Sequence, residues 1–264
     1  MSVPTPGQQA LIDRLSEVLG ADARVDGAWL SGSFGTGHAD AWSDVDVIAV
    51  VDEEDLGACL AEYSGPRNPV GEMVLLRPIF GRIVTAVAPN CERYDIVFLT
   101  AKEFRGYDKA RLKPLAKGPP PDRPPVDPPR SAPDQAQMLA MAHEFLRINA
   151  LAPVAVGREE WIVALEGVGL LRKLTVDLML EANGLGAASR GGAKRLNGFL
   201  QPEQRTALEA LPPVAPTREG IVGANLALAA LFLPLGRRLL GEAWPQALED
   251  ATRAHLQRTL GVTL

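Results

Sequence analysis

Apolar positions divide the chain into two stretches of different period. Up to Thr100 they fall mostly in short runs with turn residues between them. Val25–Leu30, Asp44–Val51, Met73–Phe80, Ile83–Val87 and Glu92–Thr100 each hold four to eight β-branched, aromatic or aliphatic residues, the signature of strands. Gly81-Arg82 between the third and fourth runs predicts a hairpin. Two helical stripes interrupt the runs. Gln8–Leu19 carries Leu11, Ile12, Leu15, Val18 and Leu19 and stops at Gly20, and Asp52–Tyr63 carries Leu56, Cys59 and Leu60. Beyond residue 134 the spacing is helical throughout. Asp134 is a candidate N-cap, and Arg158–Asn183, Pro202–Leu211, Thr217–Leu240 and Pro245–Leu260 read as further helices, about five in all.

Between these stretches, Lys117–Pro133 holds eight prolines, too many for a core helix or a central strand. The expected organisation is an α/β (α+β) domain with a small mixed sheet over 1–116, a Pro-rich linker over 117–133, and an all-helical domain over 134–264.

Candidate chemistry concentrates in Gly32–Val51, GSFGTGHADAWSDVDVIAVV. Asp44 and Asp46 stand at the mouth of an apolar strand, where residues i and i+2 share a face. Two carboxylates aimed at one spot repel each other and lose hydration, and a hard divalent cation such as Mg²⁺ resolves both problems. The preceding turn, with Gly32, Gly35 and Gly37 and the Ser33 hydroxyl, suits close approach of phosphate oxygens. A phosphate cradle beside metal-binding carboxylates describes nucleoside triphosphate chemistry.

Gly32-Ser33, Ala39-Asp40 and Ser43-Asp44-Val45-Asp46 together resemble the signature of the DNA polymerase β-type nucleotidyltransferase superfamily, in particular its branch of aminoglycoside and lincosamide antibiotic adenylyltransferases. Thr36 stands where that signature commonly has Arg. The resemblance implies a nucleotidyltransferase fold and a Mg²⁺-dependent adenylyltransferase that uses ATP and confers antibiotic resistance. It also implies a third carboxylate on a neighbouring strand. Asp95, at the start of Ile96-Val97-Phe98-Leu99, matches in context as metal ligand or as base for the acceptor hydroxyl. Gly32 and Ser33 would contact the nucleotide.

In the helical half, Glu159, Glu166 and Lys173 recur every seven residues, followed by Asp177, on one predicted helix face. Glu166 and Glu159 are candidates for binding substrate amines or for an alternative base. The region around Arg190-Gly191-Gly192-Ala193-Lys194-Arg195 loosely resembles the part of streptomycin/spectinomycin-type adenylyltransferases whose Arg and Lys residues hold the triphosphate. Arg172, Arg190 and Lys194 are therefore candidate phosphate contacts, needed because basic residues are sparse near the motif. His38, His143 and His255 form no ligand cluster in sequence.

Composition narrows the partners. The 264-residue chain has 47% hydrophobic and 22% charged residues, ordinary for a folded protein. A net charge of −5 and a pI of about 5.4 disfavour nucleic acid. Cys59 and Cys91 form no motif and are expected to be buried thiols in a reducing cytoplasm. The longest apolar stretch, Ile221–Leu235, is broken by Gly223, Asn225 and Pro234, so no membrane span is expected. The expected reactants are a nucleoside triphosphate and a hydroxylated small molecule, with the protein a monomer or homodimer. The competing readings are a minimal nucleotidyltransferase that modifies a protein partner and a non-catalytic nucleotide sensor.

Overall fold

The computed structural model describes residues 4–120, 132–185 and 196–264. The chain divides into two compact units, Met1–Asp127 and Pro128–Leu264.

The first unit is built on a six-stranded mixed sheet. In chain order the strands are β1 (Val25–Leu30), β2 (Val45–Val51), β3 (Leu75–Ile79), β4 (Ile83–Val87), β5 (Arg93–Thr100) and β6 (Lys113–Ala116). Their order across the sheet is β3-β4-β5-β2-β1-β6. Only β2 and β5 run parallel; the other neighbouring pairs are antiparallel. Helix α1 (Pro6–Ala21) opens with a capping box between Thr5 and Gln8, with Pro6 in its first turn. Helix α2 (Gly32–Thr36) is a single short turn after β1, and α3 (Leu56–Tyr63) follows β2.

The sheet has two different faces. One carries the main core, where Leu11, Leu15 and Leu19 of α1 and Cys59 and Tyr63 of α3 join Val45, Val47, Ala49, Ile96 and Phe98. The other face has a smaller cluster of Trp29, Ile48, Val50 and Leu112, flanked by Val97, Leu99 and Phe104 of α4 (Ala101–Arg105). The Trp29 and Phe104 rings stack at 4.5 Å between centroids. This cluster lies toward the C-terminal ends of β2 and β5. Asp46 and Asp95, near their N-terminal ends, face the same way but lie outside it.

Several elements differ from expectation. Strand β6 is short and carries Lys113 and Pro114, so it lacks a strand signature. It forms because β1 offers an open edge, where Trp29 pairs with Pro114 and Leu30 with Lys113. Lys117 then donates to the Asp22 and Val25 carbonyls, and the Trp29 indole N–H donates to the Pro119 carbonyl. The first residues of the Pro-rich segment are thus tied to β1. Helix α3 starts at Leu56 instead of Asp52, because Asp52–Asp55 forms a turn first. Of the two cysteines, Cys59 is buried and burial pushes its thiol up to about 11, whereas Cys91 is exposed in the β4–β5 turn.

The second unit is helical throughout its described residues: α5 (Gln135–Gly157), α6 (Trp161–Ala182), α7 (Pro202–Glu209), α8 (Arg218–Leu240) and α9 (Gln246–Leu260). Asp134 caps α5 by accepting from the Ala136 and Gln137 N–H groups. Phe145 of α5 stacks on Phe232 of α8 at 3.9 Å in the core. Helices α5 and α8 are apolar and long enough by composition to cross a membrane, yet about half of each is buried in this unit. Helix α8 runs unbroken through Gly223, Asn225 and Pro234, in line with the helix expected over Thr217–Leu240.

Helix α6 starts at Trp161, not at Arg158. Glu159 has φ 57° in the turn that reverses the chain between α5 and α6, so it is not on the helix face that carries Glu166 and Lys173. An antiparallel pair of helices needs such a reversal, and the heptad spacing through Glu159 is coincidental.

Candidate active site

Strands β2 and β5 place the acidic residues. Asp46 pairs in register with Asp95, and directly opposite residues project to the same face. Asp44 immediately precedes β2. One carboxylate oxygen from each of Asp44, Asp46 and Asp95 lies within 4.8 Å of the other two, and all three side chains are half-buried. Two ligands at 2.0–2.4 Å from a hard cation lie up to about 4–5 Å apart, so this cluster has the spacing and the all-oxygen donor set that Mg²⁺ or a similar ion takes.

The α2 turn is fitted against this cluster. Gly32 has φ 54°, and a Cβ built there would lie 2.0 Å from Asp46 Oδ2. Only glycine combines that backbone with so close an approach to a carboxylate. A Cβ at Gly35 would lie 2.3 Å from the Arg111 carbonyl and 2.7 Å from the Leu30 carbonyl, so this position also excludes side chains. Ser31 N–H donates to the Asp46 carbonyl at 2.8 Å, joining the turn to β2. Phe34 is buried and anchors the turn. The Ser33 hydroxyl is buried and has no hydrogen-bond partner among the described residues, which suits a group bound from outside. Thr36 donates to the Gly32 carbonyl at 2.9 Å and so stabilises the turn internally.

A second network fixes the loop that delivers Asp44. Fully buried Gln8 donates to the carbonyls of Asp40 and Ser43, both at 2.9 Å. Asp40 Oδ1 accepts from Trp42 N–H and from the Ser43 hydroxyl. Arg93 donates to the Trp42 carbonyl at 3.2 Å, and Trp42 itself, two residues before Asp44, is 85% exposed.

On the far side of β5, the Thr85 hydroxyl donates to Asp95 Oδ1 at 2.7 Å, because Thr85 pairs with Asp95 across β4 and β5. Tyr107 lies within electrostatic range of the cluster. Its partial burial, together with the negative charge of Asp46, pushes the phenol above its ordinary value, while Arg111 acts in the opposite direction.

The fold therefore brings Asp44, Asp46, Asp95, Gly32 and Ser33 to one place in the first unit. In the second unit, Glu166 and Arg172 are exposed on α6, and Glu159 is exposed in the turn before it. Arg172 borders a largely apolar recess lined by Leu165, Val168, Val214, Ala224 and Leu228. Arg190 and Lys194 lie outside the described residues. Gln8, Thr85, Tyr107 and Arg111 were not singled out in the sequence. Thr85 becomes visible only once the β4–β5 register is known. Basic residues are also less sparse near the site than chain order suggests, since strand pairing brings Arg77 and Arg93 onto the triad face.

Together these features define the class: an α/β unit with three convergent carboxylates and a glycine turn on one sheet face, followed by a helical unit. Solved structures similar to the chain include an aminoglycoside 6-adenyltransferase from Bacillus subtilis, 13% identical with a TM-score of 0.44, the match covering 95% of this chain and 97% of that one. Another is a nucleotidyltransferase-like protein from Exiguobacterium sibiricum 255-15, 14% identical with a TM-score of 0.33, covering 97% of this chain and 88% of that one. No family model and no curated protein matches the chain.

Proposed function

We propose that the chain is a metal-dependent nucleotidyltransferase that moves a nucleoside monophosphate, AMP from ATP, to a hydroxyl of a small molecule and releases pyrophosphate. The observation that carries this reading is the convergence of Asp44, Asp46 and Asp95 within 4.8 Å beside the Gly32 turn. The superfamily signature in Gly32–Asp46 supports it.

Asp44 and Asp46, with Asp95, would hold the divalent cation. Bound there, it supplies charge neutralisation of the triphosphate and orientation of the reacting phosphate. The Ser33 hydroxyl and the Gly32 turn hold the leaving phosphates. Asp95 accepts the proton of the acceptor hydroxyl as it attacks the α-phosphorus in line, and the bond from that phosphorus to the pyrophosphate oxygen breaks. The Thr85 hydrogen bond holds Asp95 Oδ1, which orients Oδ2 for this task. Glu166 is the alternative base; Arg172, Arg190 and Lys194 are candidate cations for the triphosphate.

The experiment is pyrophosphate release from Mg-ATP across aminoglycosides, lincosamides and other hydroxylated compounds. Release that depends on one acceptor and disappears in Asp46→Asn supports the reading. Silence across the panel with Mg-ATP bound shifts weight to a protein acceptor or a sensor.

A further inference from the structure

The triad face of the sheet continues past β5 onto the β3–β4 hairpin. Register carries one row of side chains across four strands: Arg77 pairs with Thr85, Thr85 with Asp95, and Asp95 with Asp46. All four point to the face opposite the main core, since Leu76, Val84 and Ala86 face inward. The flanking rows on β3 and β4 are apolar, with Leu75 beside Val87 and Ile79 beside Ile83. Leu75 is 46% exposed, and Val87, Ile79 and Ile83 are half-buried. Arg77 is exposed and pairs with no carboxylate among the described residues. The hairpin thus presents an apolar strip with one unpaired cation at its centre, two strand spacings, or about 10 Å, from Asp95.

Geometry assigns this strip to the acceptor. In an in-line displacement the attacking and leaving groups stand on opposite sides of phosphorus. The Gly32 turn, which would hold the leaving pyrophosphate, lies on the β1 flank of the triad. The attacking hydroxyl therefore arrives from the β5–β4 flank, over Asp95, Thr85 and the hairpin.

We propose that the β3–β4 hairpin is the acceptor platform and that Arg77 binds an anionic group of the acceptor, making the preferred acceptor a hydroxylated compound with an apolar body and a carboxylate or phosphate, not a polycation. This rests on the nucleotidyltransferase reading. A polycation would meet Arg77 as a like charge, and like charges placed together disfavour binding. The anion at Arg77 could instead belong to the triphosphate, and the test separates the two sources.

The test is calorimetric binding to the full-length protein with Mg²⁺ and a non-hydrolysable ATP analogue. The probes are paired hydroxylated aromatics, phenyl β-D-glucuronide against phenyl β-D-glucoside and hydroxylated aromatic carboxylates against their amides, with a polycationic aminoglycoside alongside. The expected result is at least about tenfold tighter binding of the acidic members, as for a charge-assisted contact at a partly open site. Arg77→Gln removes this preference, and Arg77→Glu reverses it toward the cationic probe. Acidic and neutral partners that bind equally, or fail to bind, overturn the proposal. A Kd for the ATP analogue that weakens about tenfold in Arg77→Gln, with acceptor binding unchanged, assigns Arg77 to the triphosphate and also overturns it. None of these outcomes touches the nucleotidyltransferase reading, which pyrophosphate release tests separately.

Discussion

Asp46 and Asp95 face each other in register on the parallel strands β2 and β5, and with Asp44 they bring three carboxylate oxygens within 4.8 Å. Convergence of this kind is unfavourable for carboxylates alone and favourable around a cation. Mg²⁺ or Mn²⁺ should therefore raise the thermal midpoint of the native protein and raise that of Asp46→Asn by less. Turnover should fall at least about 100-fold in Asp46→Asn. Thermal melts with and without the ion, paired with kinetics, check this. An equal response of both proteins to the ion would remove the triad from metal binding.

Gly32 tests the contact between the turn and the triad. Gly32→Ala puts a side chain at φ 54°, 2.0 Å from Asp46 Oδ2. Backbone strain of this kind costs on the order of 1–3 kcal/mol, and the displaced carboxylate should also lose its cation response. Stability and ion-dependent melting are read together. A variant with native turnover would mean that the turn does not abut the reacting groups.

Gln8 lies 35 residues from Ser43, yet its amide holds both ends of the loop before Asp44. Gln8→Leu keeps the size and leaves two carbonyls without their donor, a loss of about 1–3 kcal/mol. Turnover should fall with it, because the loop sets the position of Asp44. Denaturant unfolding and kcat are the readouts, and an unchanged kcat would limit Gln8 to a structural role.

In the helical unit, burial alone would raise the Glu249 carboxyl. Its bonds from Arg237, Arg253 and the Trp244 indole outweigh that effect and hold it below the usual carboxylate range. Because the folded value is depressed, this stabilisation is fully present above the unfolded value of about 4.3 and is lost as pH falls through the lower folded value. Glu249→Gln should lower stability at pH 7 by about 1–3 kcal/mol, since a buried charged network is broken. The gap from the native protein should close below about pH 4. A gap of constant size from pH 7 to pH 3 would contradict this account of Glu249.

Much of the arrangement was legible in the sequence. β2 shows itself because its apolar run is continuous, and the i, i+2 spacing of Asp44 and Asp46 fixes their common direction. Gly32 and Ser33 were visible as a turn before a strand. What stayed hidden depends on register between distant segments. Thr85 reaches Asp95 only because the hairpin and β5 align, and Arg77 joins the same row by a second pairing step. β6 has no strand composition of its own and exists because β1 has an edge to cover. Glu159 was misplaced on α6 because a heptad spacing in sequence says nothing about where a chain reversal falls.

The central claim is which phosphorus is transferred, and the most direct measurement follows the label. The protein is incubated with Mg²⁺, an acceptor that supports pyrophosphate release, and ATP carrying ³²P at either the α or the γ position. Nucleotidyl transfer predicts that the α label appears on the acceptor and the γ label in pyrophosphate, with both signals lost in Asp46→Asn. Transfer of the γ label to the acceptor, or α transfer that persists in Asp46→Asn, would contradict the account.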